Sequence, residues 1–455
     1  MTDGVPDRGE SPPARWRRRL NLLDSGVRRF LGGRSDAEFV DEVYRRWLGR
    51  PPDPEGASNC LAKLRSGMAR RPLLSKSLAS SSEAAGVAPR LRLEETLRAA
   101  REPRDPRTRA AAAPEEVWLE LTTRCNMTPP CSMCGLVARG PRSGRHMEPR
   151  VWGRLLPLLR GAWTVGLHGA GEPLLYPDLF NLLGRLASGR AEIGFNSNGH
   201  LLNREVACRF VDCRLGWISV SLDAATPETY RRIRRRADFD RLLSKIRVLA
   251  EERARRGSPV PRIDVNMTIM KSNLAEAPSF VSLAAGLGAD GVMFQQIQPG
   301  GRQRVVTPDG WEFDYEKEVI PPGWPPHLAL MDEAREKAAA LGVAFRYEIE
   351  YARSRPAAPE RAGGSHPGVT TRPRHATPFC REPWRRLVVA VDGEAFFCCV
   401  HQSNRFGIGN VAGESVEHLW NGRRARLLRR ALLEPPVPPC CRGCFLASGT
   451  AAAAA

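Results

Sequence analysis

A chain of 455 residues that is 42% apolar has room for about two or three domains and can bury a substantial core. The net charge of +19 invites a nucleic-acid partner, but only six of the 69 basic residues are Lys, and they run along the whole chain instead of forming one stripe. Nucleic acid is therefore set aside, and an acidic or phosphorylated substrate stays open. No run approaches the roughly 18 apolar residues of a membrane span, and the basic start lacks the apolar stretch of a secretory signal, which points to the cytoplasm.

Residues 1–34 are rich in Arg and Pro and read as disordered. Ser35-Asp-Ala-Glu38 has the pattern of a capping box, and Phe39, Val40, Val43, Tyr44, Trp47 and Leu48 follow at helical spacing. Gly49-Arg50-Pro51-Pro52-Asp53 stops that helix. Further helical runs are predicted at Pro54–Arg65 and Arg71–Ser80. The run DAEFVDEVYRRWLGRPPDPEG resembles the small helical domain family DUF4214, over residues 35–87, which implies a helical appendage. Residues 88–113 read as a linker. From there short β-rich runs appear at Val117–Thr122, Thr164–His168, Glu192–Asn196, Trp217–Leu222, Ile263–Ile269 and Val292–Ile297, most of them separated by helical stretches. Such alternation predicts an α/β fold with a parallel sheet. Six units suit a partial (β/α)6 TIM-type barrel over residues 114–300, with its chemistry at the carboxyl ends of the strands. A connecting region, 301–378, holds a helix near Leu328–Leu341 and a β-like run at Val343–Ile349. A Cys-rich module at 379–447 and a tail at 448–455 complete the chain.

Twelve cysteines without an export signal point to metal or catalysis rather than disulfides. Cys60, Cys208 and Cys213 stand apart and read as small buried hydrophobes. Cys125, Cys131 and Cys134 lie within ten residues, directly after the first strand. By spacing alone a zinc site and an iron–sulfur site stand about even. The next strands end in Gly169-Ala-Gly171-Glu172-Pro173, in Asn196-Ser-Asn198-Gly199 and in Ser219-Val-Ser221-Leu222-Asp223. Each taken singly could be a turn, a hairpin or a cap. Their shared placement at successive strand ends is what argues for a site.

Together with the cysteine triad these segments resemble the radical S-adenosylmethionine (SAM) superfamily, over about residues 115–300. The resemblance implies a 4Fe–4S cluster on Cys125, Cys131 and Cys134, with SAM chelating the open iron. It places Gly171, Glu172 and Pro173 at the amino group of SAM, Met133 against adenine, and Asn198, Ser221 and Asp223 near the ribose and carboxylate. The spacing here is CxxxxxCxxC where the family usually has CxxxCxxC, and Pro129-Pro130 account for the difference. The implied activity is reductive cleavage of SAM and hydrogen abstraction from a peptide, sugar or small metabolite, with an electron donor such as flavodoxin or ferredoxin. No residue is marked as catalytic toward a substrate.

Downstream, Cys380 is followed by Gly393 and Cys398-Cys399, then by Cys440-Cys441-Arg-Gly-Cys444. This arrangement resembles the SPASM/Twitch module and implies one auxiliary 4Fe–4S cluster on Cys380, Cys398, Cys441 and Cys444, in an electron-transfer role. Cys399 or Cys440 could replace a neighbour, and a four-Cys zinc site is the competing reading. Two rival functions remain: a non-catalytic metal-binding interaction protein on a degenerate barrel, and a nucleic-acid modifier of the radical SAM type.

Overall fold

The computed structural model describes residues 35–48, 50–66, 74–75, 77–78, 81, 100–134, 144–235, 237–297, 304–306, 310–321, 324–347, 380–399, 406–433 and 441. The expected disordered start and tail, most of the Arg71–Ser80 run, and the cysteines Cys440 and Cys444 lie outside these residues. The chain divides into two compact units, Met1–Ala99 and Ala100–Ala455.

The first unit contains α1 (Asp36–Leu48) and α2 (Pro54–Arg65). The capping box forms: the Ser35 amide donates to Glu38 Oε2 (2.8 Å), and the Glu38 amide donates to Ser35 Oγ (3.3 Å). Asp53 caps α2 by accepting from the Gly56 amide (2.8 Å). The apolar positions of α1 predicted from spacing make one core with Cys60 and Leu74.

The second unit is built on β1 (Glu116–Leu119), α3 (Pro149–Gly161), β2 (Thr164–Gly166), α4 (Leu179–Leu186), β3 (Glu192–Ser197), α5 (Arg204–Asp212), β4 (Trp217–Ser221), α6 (Pro227–Arg234), α7 (Phe239–Arg255), β5 (Arg262–Ile269), α8 (Ala277–Gly286) and β6 (Gly291–Gln296). Strands β1 to β6 are parallel neighbours in chain order. This is the alternation expected of the six units. Right-handed crossovers put the helices on one face, where Val117, Leu119, Val165, Ile193, Phe195, Ile218, Val220, Ile263 and Val265 are buried. The alternate positions, among them Trp118, Asn196, Ser219 and Asn266, belong to the opposite, inner face.

The sheet runs on past both ends of that set. The connecting region supplies an antiparallel hairpin, β7 (Arg304–Val306) and β8 (Glu312–Asp314), then α9 (Tyr315–Glu318), α10 (Pro325–Leu341) and β9 (Ala344–Arg346). Strand β9 pairs in parallel with β6. The C-terminal module supplies β10 (Arg386–Val389), β11 (Glu394–Phe396), β12 (Gly409–Asn410), α11 (Val416–Asn421) and α12 (Arg423–Leu433). Strand β10 pairs in parallel with β1, from Glu116↔Arg386 to Leu119↔Val389, and β11 and β12 continue antiparallel. The result is one ten-stranded sheet in the order β12-β11-β10-β1-β2-β3-β4-β5-β6-β9.

Two readings change. The second half of the expected linker is a packed strap: Ala110 and Asn421 exchange two hydrogen bonds (2.9 and 3.0 Å), Trp420 donates to the Ala112 carbonyl (2.8 Å), and Arg426 pairs with Glu102 (2.6 Å). These partners are some 300 residues away in sequence, so local composition carries no trace of them. Cys208 and Cys213 are half-buried, and the Cys208 thiol donates to Glu252 (3.1 Å) at the centre of an ion-pair group with Arg204, Arg255 and Arg256. Among the described residues no helix is long and apolar enough to cross a membrane.

Because β10 shares a hydrogen-bonded edge with β1, Leu387→Ala should lower the stability of the whole second unit by about 2–5 kcal/mol. Urea unfolding followed by fluorescence should show one shifted transition; separate loss of the C-terminal module alone would contradict the shared edge.

Candidate functional site

The cysteine loop leaves β1 and is fastened at once to the carboxyl end of β2. The Gly171 amide donates to the Thr122 carbonyl (3.1 Å) and the Glu172 amide to the Arg124 carbonyl (2.7 Å). A Cβ on residue 171 would lie 2.4 Å from both carbonyl oxygens, so only glycine allows this approach. Glu172 is 2% exposed, and its carboxylate is consumed by the end of β3. Oε1 accepts from Ser197 Oγ (2.8 Å) and Oε2 from the Asn198 amide (2.7 Å). Burial raises its pKa, and these hydrogen bonds oppose the rise.

Asn198 returns to the loop. Its Nδ2 donates to Asn126 Oδ1 (2.7 Å) and lies 3.9 Å from Cys125 Sγ. On the other side, Ser132 donates through its amide and hydroxyl to the Ile233 carbonyl (3.0 and 3.1 Å), and the Cys134 amide closes a turn on the Cys131 carbonyl (3.0 Å). Met133 packs against Ile233, Met270, Ile297, Phe313 and Tyr315, and its carbonyl accepts from the Tyr315 hydroxyl (2.9 Å). The hairpin and α9 of the connecting region thus lie against the loop.

Asp223 follows β4 with φ of 62° and is fully buried. One carboxylate oxygen accepts from the Thr268 amide (2.7 Å), and the other is ion-paired with Arg234. Arg234 ends α6, is itself buried, and donates through Nη1 to Cys131 Sγ (3.3 Å). Burial works against its charge, yet Asp223 and Cys131 raise its pKa. Burial likewise pushes the Cys131 thiol up, and Arg234 pulls it back. Ser221 is half-buried at the end of β4 and keeps its hydroxyl uncommitted among the described residues.

Below this layer, the inner face carries an aromatic floor. The ring of His168 lies 4.8 Å from Trp118 and 6.1 Å from Trp217 between ring centres, and the Arg386 guanidinium lies 4.0 Å over Trp118. A side chain in place of Gly166 would strike the imidazole at 2.6 Å. Burial first, then the Arg386 charge, lowers the His168 pKa to about 4. Its Nδ1 is buried without a hydrogen-bond partner among the described residues.

In the C-terminal module Cys380, Cys398 and Cys441 are all buried, and Cys380 and Cys441 join Leu432 and Trp384 in one cluster. Arg429, one turn before Leu432, is fully buried under Trp420 (4.7 Å), Phe397 (5.0 Å) and Trp384 (5.8 Å). It donates to the carbonyls of Pro383 and Thr108 and to Asn421 Oδ1 (2.8, 3.2 and 3.1 Å), while its Nη2 has no partner and no carboxylate pairs with it among the described residues. Burial lowers its pKa to about 9. A buried cation without a counter-ion is costly, and Phe397 directly precedes Cys398. A thiolate-ligated cluster, anionic as a whole, fits that environment. At the first loop, N–H donors aimed at Cys125 and Cys131 fit thiolate sulfur in the same way. Among the described residues no three His, Cys, Asp or Glu side chains converge as a single-ion site requires.

Comparison with known proteins identifies the class to which this architecture belongs. The radical SAM superfamily profile matches residues 119–272, an iron–sulfur cluster-binding (SPASM) domain matches 380–445, and a domain of unknown function, DUF4214, matches 27–87. Residues 119–272 thus carry a radical SAM domain, and the radical SAM and SPASM matches together imply 4Fe–4S clusters. The particular relatives are more distant. Mycofactocin maturase MftC of Mycobacterium tuberculosis is 27% identical over 202 residues, 44% of this chain and 49% of that protein, so the match spans about half the relative's length. The Mycobacterium ulcerans protein of the same name is 26% identical over 338 residues, 73% of this chain and 80% of its own. Among solved structures, Streptococcus suis SuiB bound to S-adenosylmethionine aligns with a TM-score of 0.52 at 14% identity, covering 84% of this chain and 79% of that one. AnSMEcpe with bound AdoMet aligns at 0.51 and 15%, covering 70% and 81%.

Sequence reasoning did not single out Arg234, Arg429, His168 or Tyr315. Arg234 sits inside Arg231-Arg232-Ile233-Arg234-Arg235-Arg236, where five arginines look like surface composition. Its one signal is helical spacing: it falls four residues after Tyr230 and eleven after the buried Asp223.

Two outcomes test this geometry. Gly171→Ala should push the cysteine loop off β2, cost about 1–3 kcal/mol, and lower the iron retained by the first three cysteines several-fold by iron assay. Wild-type iron content in that variant would contradict the close approach. Because the folded pKa of His168 lies below its ordinary 6.5, its contribution to stability is full above pH 6.5 and is lost as pH falls through about 4. Between pH 7 and pH 4, urea unfolding should show the wild type losing about 3 kcal/mol more than His168→Gln.

Proposed function

We propose that this chain is a radical SAM enzyme that reductively cleaves S-adenosylmethionine and abstracts a hydrogen from a peptide or small metabolite. The observation that carries the proposal is the stitching of the cysteine loop to the carboxyl ends of β2, β3 and β4, through Gly171, Asn198 and the Asp223–Arg234 pair. Cys125, Cys131 and Cys134 would hold the catalytic cluster, and Cys380, Cys398, Cys441 and Cys444 an auxiliary one. The catalytic cluster would supply the electron that divides SAM into methionine and a 5′-deoxyadenosyl radical.

The side chains divide the remaining work. Glu172 and Asp223 are buried with both carboxylate oxygens engaged, so their role is to brace strand ends against the loop. Asn198 orients the loop through Asn126 and Cys125. Ser221, the half-buried Gly171 and the part of the Met133 side chain left uncovered by its packing are available for contact with SAM. The inner face, with His168 between two tryptophans, would exclude water below the reacting centre. A peptide substrate is favoured over a sugar because SuiB of Streptococcus suis, one of the similar structures, has been solved bound to its precursor peptide SuiA.

The decisive measurement is cofactor cleavage. Protein reconstituted anaerobically with iron and sulfide, reduced by dithionite and given SAM, should release 5′-deoxyadenosine. Cys125→Ala, Cys131→Ala or Cys134→Ala should abolish release, and Cys380→Ala should retain part of it. Folded, iron-loaded protein that releases none would favour the metal-binding interaction protein instead.

A further inference from the structure

We infer that Arg234 is a positioning residue that sets the reduction potential of the catalytic cluster through its contact with Cys131, and that Asp223 tempers it. The inference rests on the three-cysteine cluster proposed above. Arg234 Nη1 lies 3.3 Å from Cys131 Sγ, and its Nη2 is ion-paired with Asp223. All three residues are more than nine-tenths buried, so water screens the charges and the hydrogen bond to sulfur only weakly. Both anchors are rigid. Asp223 is held by the Thr268 amide, while its carbonyl accepts from Asn273 (2.9 Å). Arg234 is held by α6, whose start is capped by Thr226 and whose Tyr230, one turn earlier, hydrogen-bonds His200 (2.9 Å).

Hydrogen bonds to cluster-bound sulfur and nearby charge are among the factors that set iron–sulfur potentials. A donor cation at a ligating sulfur favours the more negative, reduced cluster and raises its potential. A carboxylate behind that cation works the other way. The two residues therefore make opposite predictions, which a purely structural role does not.

The test is an EPR-monitored potentiometric titration of full-length protein, without SAM, in a Cys380→Ala/Cys398→Ala background so that the catalytic cluster alone is followed. Arg234→Met should shift the one-electron equilibrium toward the oxidised cluster by about tenfold, a fall of about 59 mV. Arg234→Lys should keep most of the wild-type value. Asp223→Asn, which retains an acceptor for the Thr268 amide, should shift the midpoint upward. Should Arg234→Met not take up iron, the sign of the Asp223→Asn shift decides alone. An unchanged or lowered midpoint in Asp223→Asn, or an unchanged one in iron-loaded Arg234→Met, overturns the inference and leaves the proposed activity standing. Absence of any cluster signal in the parent background overturns both.

Discussion

Two backbone hydrogen bonds, from Gly171 and Glu172 to Thr122 and Arg124, fix where the cysteine loop begins relative to the sheet. The constraint is steric as well as polar, since the two chains approach to a distance that excludes any Cβ on residue 171. Everything beyond this point depends on it. Once the loop is registered against β2, the carboxylate of Glu172 can reach β3, and Asn198 at the end of β3 can reach back to Cys125. The extra length at Pro129-Pro130 is accommodated because the loop is pinned at both ends, by β2 at one side and by α6 and Tyr315 at the other.

The second theme is the handling of buried charge. A thiolate in a low-dielectric environment needs donors and cations, and a buried cation needs an anion or many acceptors. At the first loop Arg234 is shared between Cys131 and Asp223. In the C-terminal module Arg429 has carbonyls and aromatic faces but no carboxylate among the described residues. A surface arginine would satisfy neither place, because its charge would be spent on water.

Architecture links the two places. Strand β10 extends the sheet from β1, the strand that leads into the first cysteine loop. The strap at residues 100–113 then lies against α11 and α12, so Thr108 contributes a carbonyl to Arg429. The C-terminal module is therefore a continuation of the sheet and not a bead on a tether.

The amino-acid sequence by itself determined the βα rhythm, the helical start at Ser35 and the strand-end positions of Gly171, Glu172, Asn198, Ser221 and Asp223. These follow from local periodicity, glycine sterics and capping chemistry, which act within a few residues. It also marked the two cysteine groups, whose clustering needs no tertiary information. Tertiary structure alone decided that Glu172 and Asp223 turn inward to brace the fold, that one arginine of a six-residue basic run is buried against Cys131, and that residues 100–113 are packed. Each of those outcomes depends on a partner tens to hundreds of residues away, and whether a charge meets water or a buried counter-charge is settled only when the chain has closed around it.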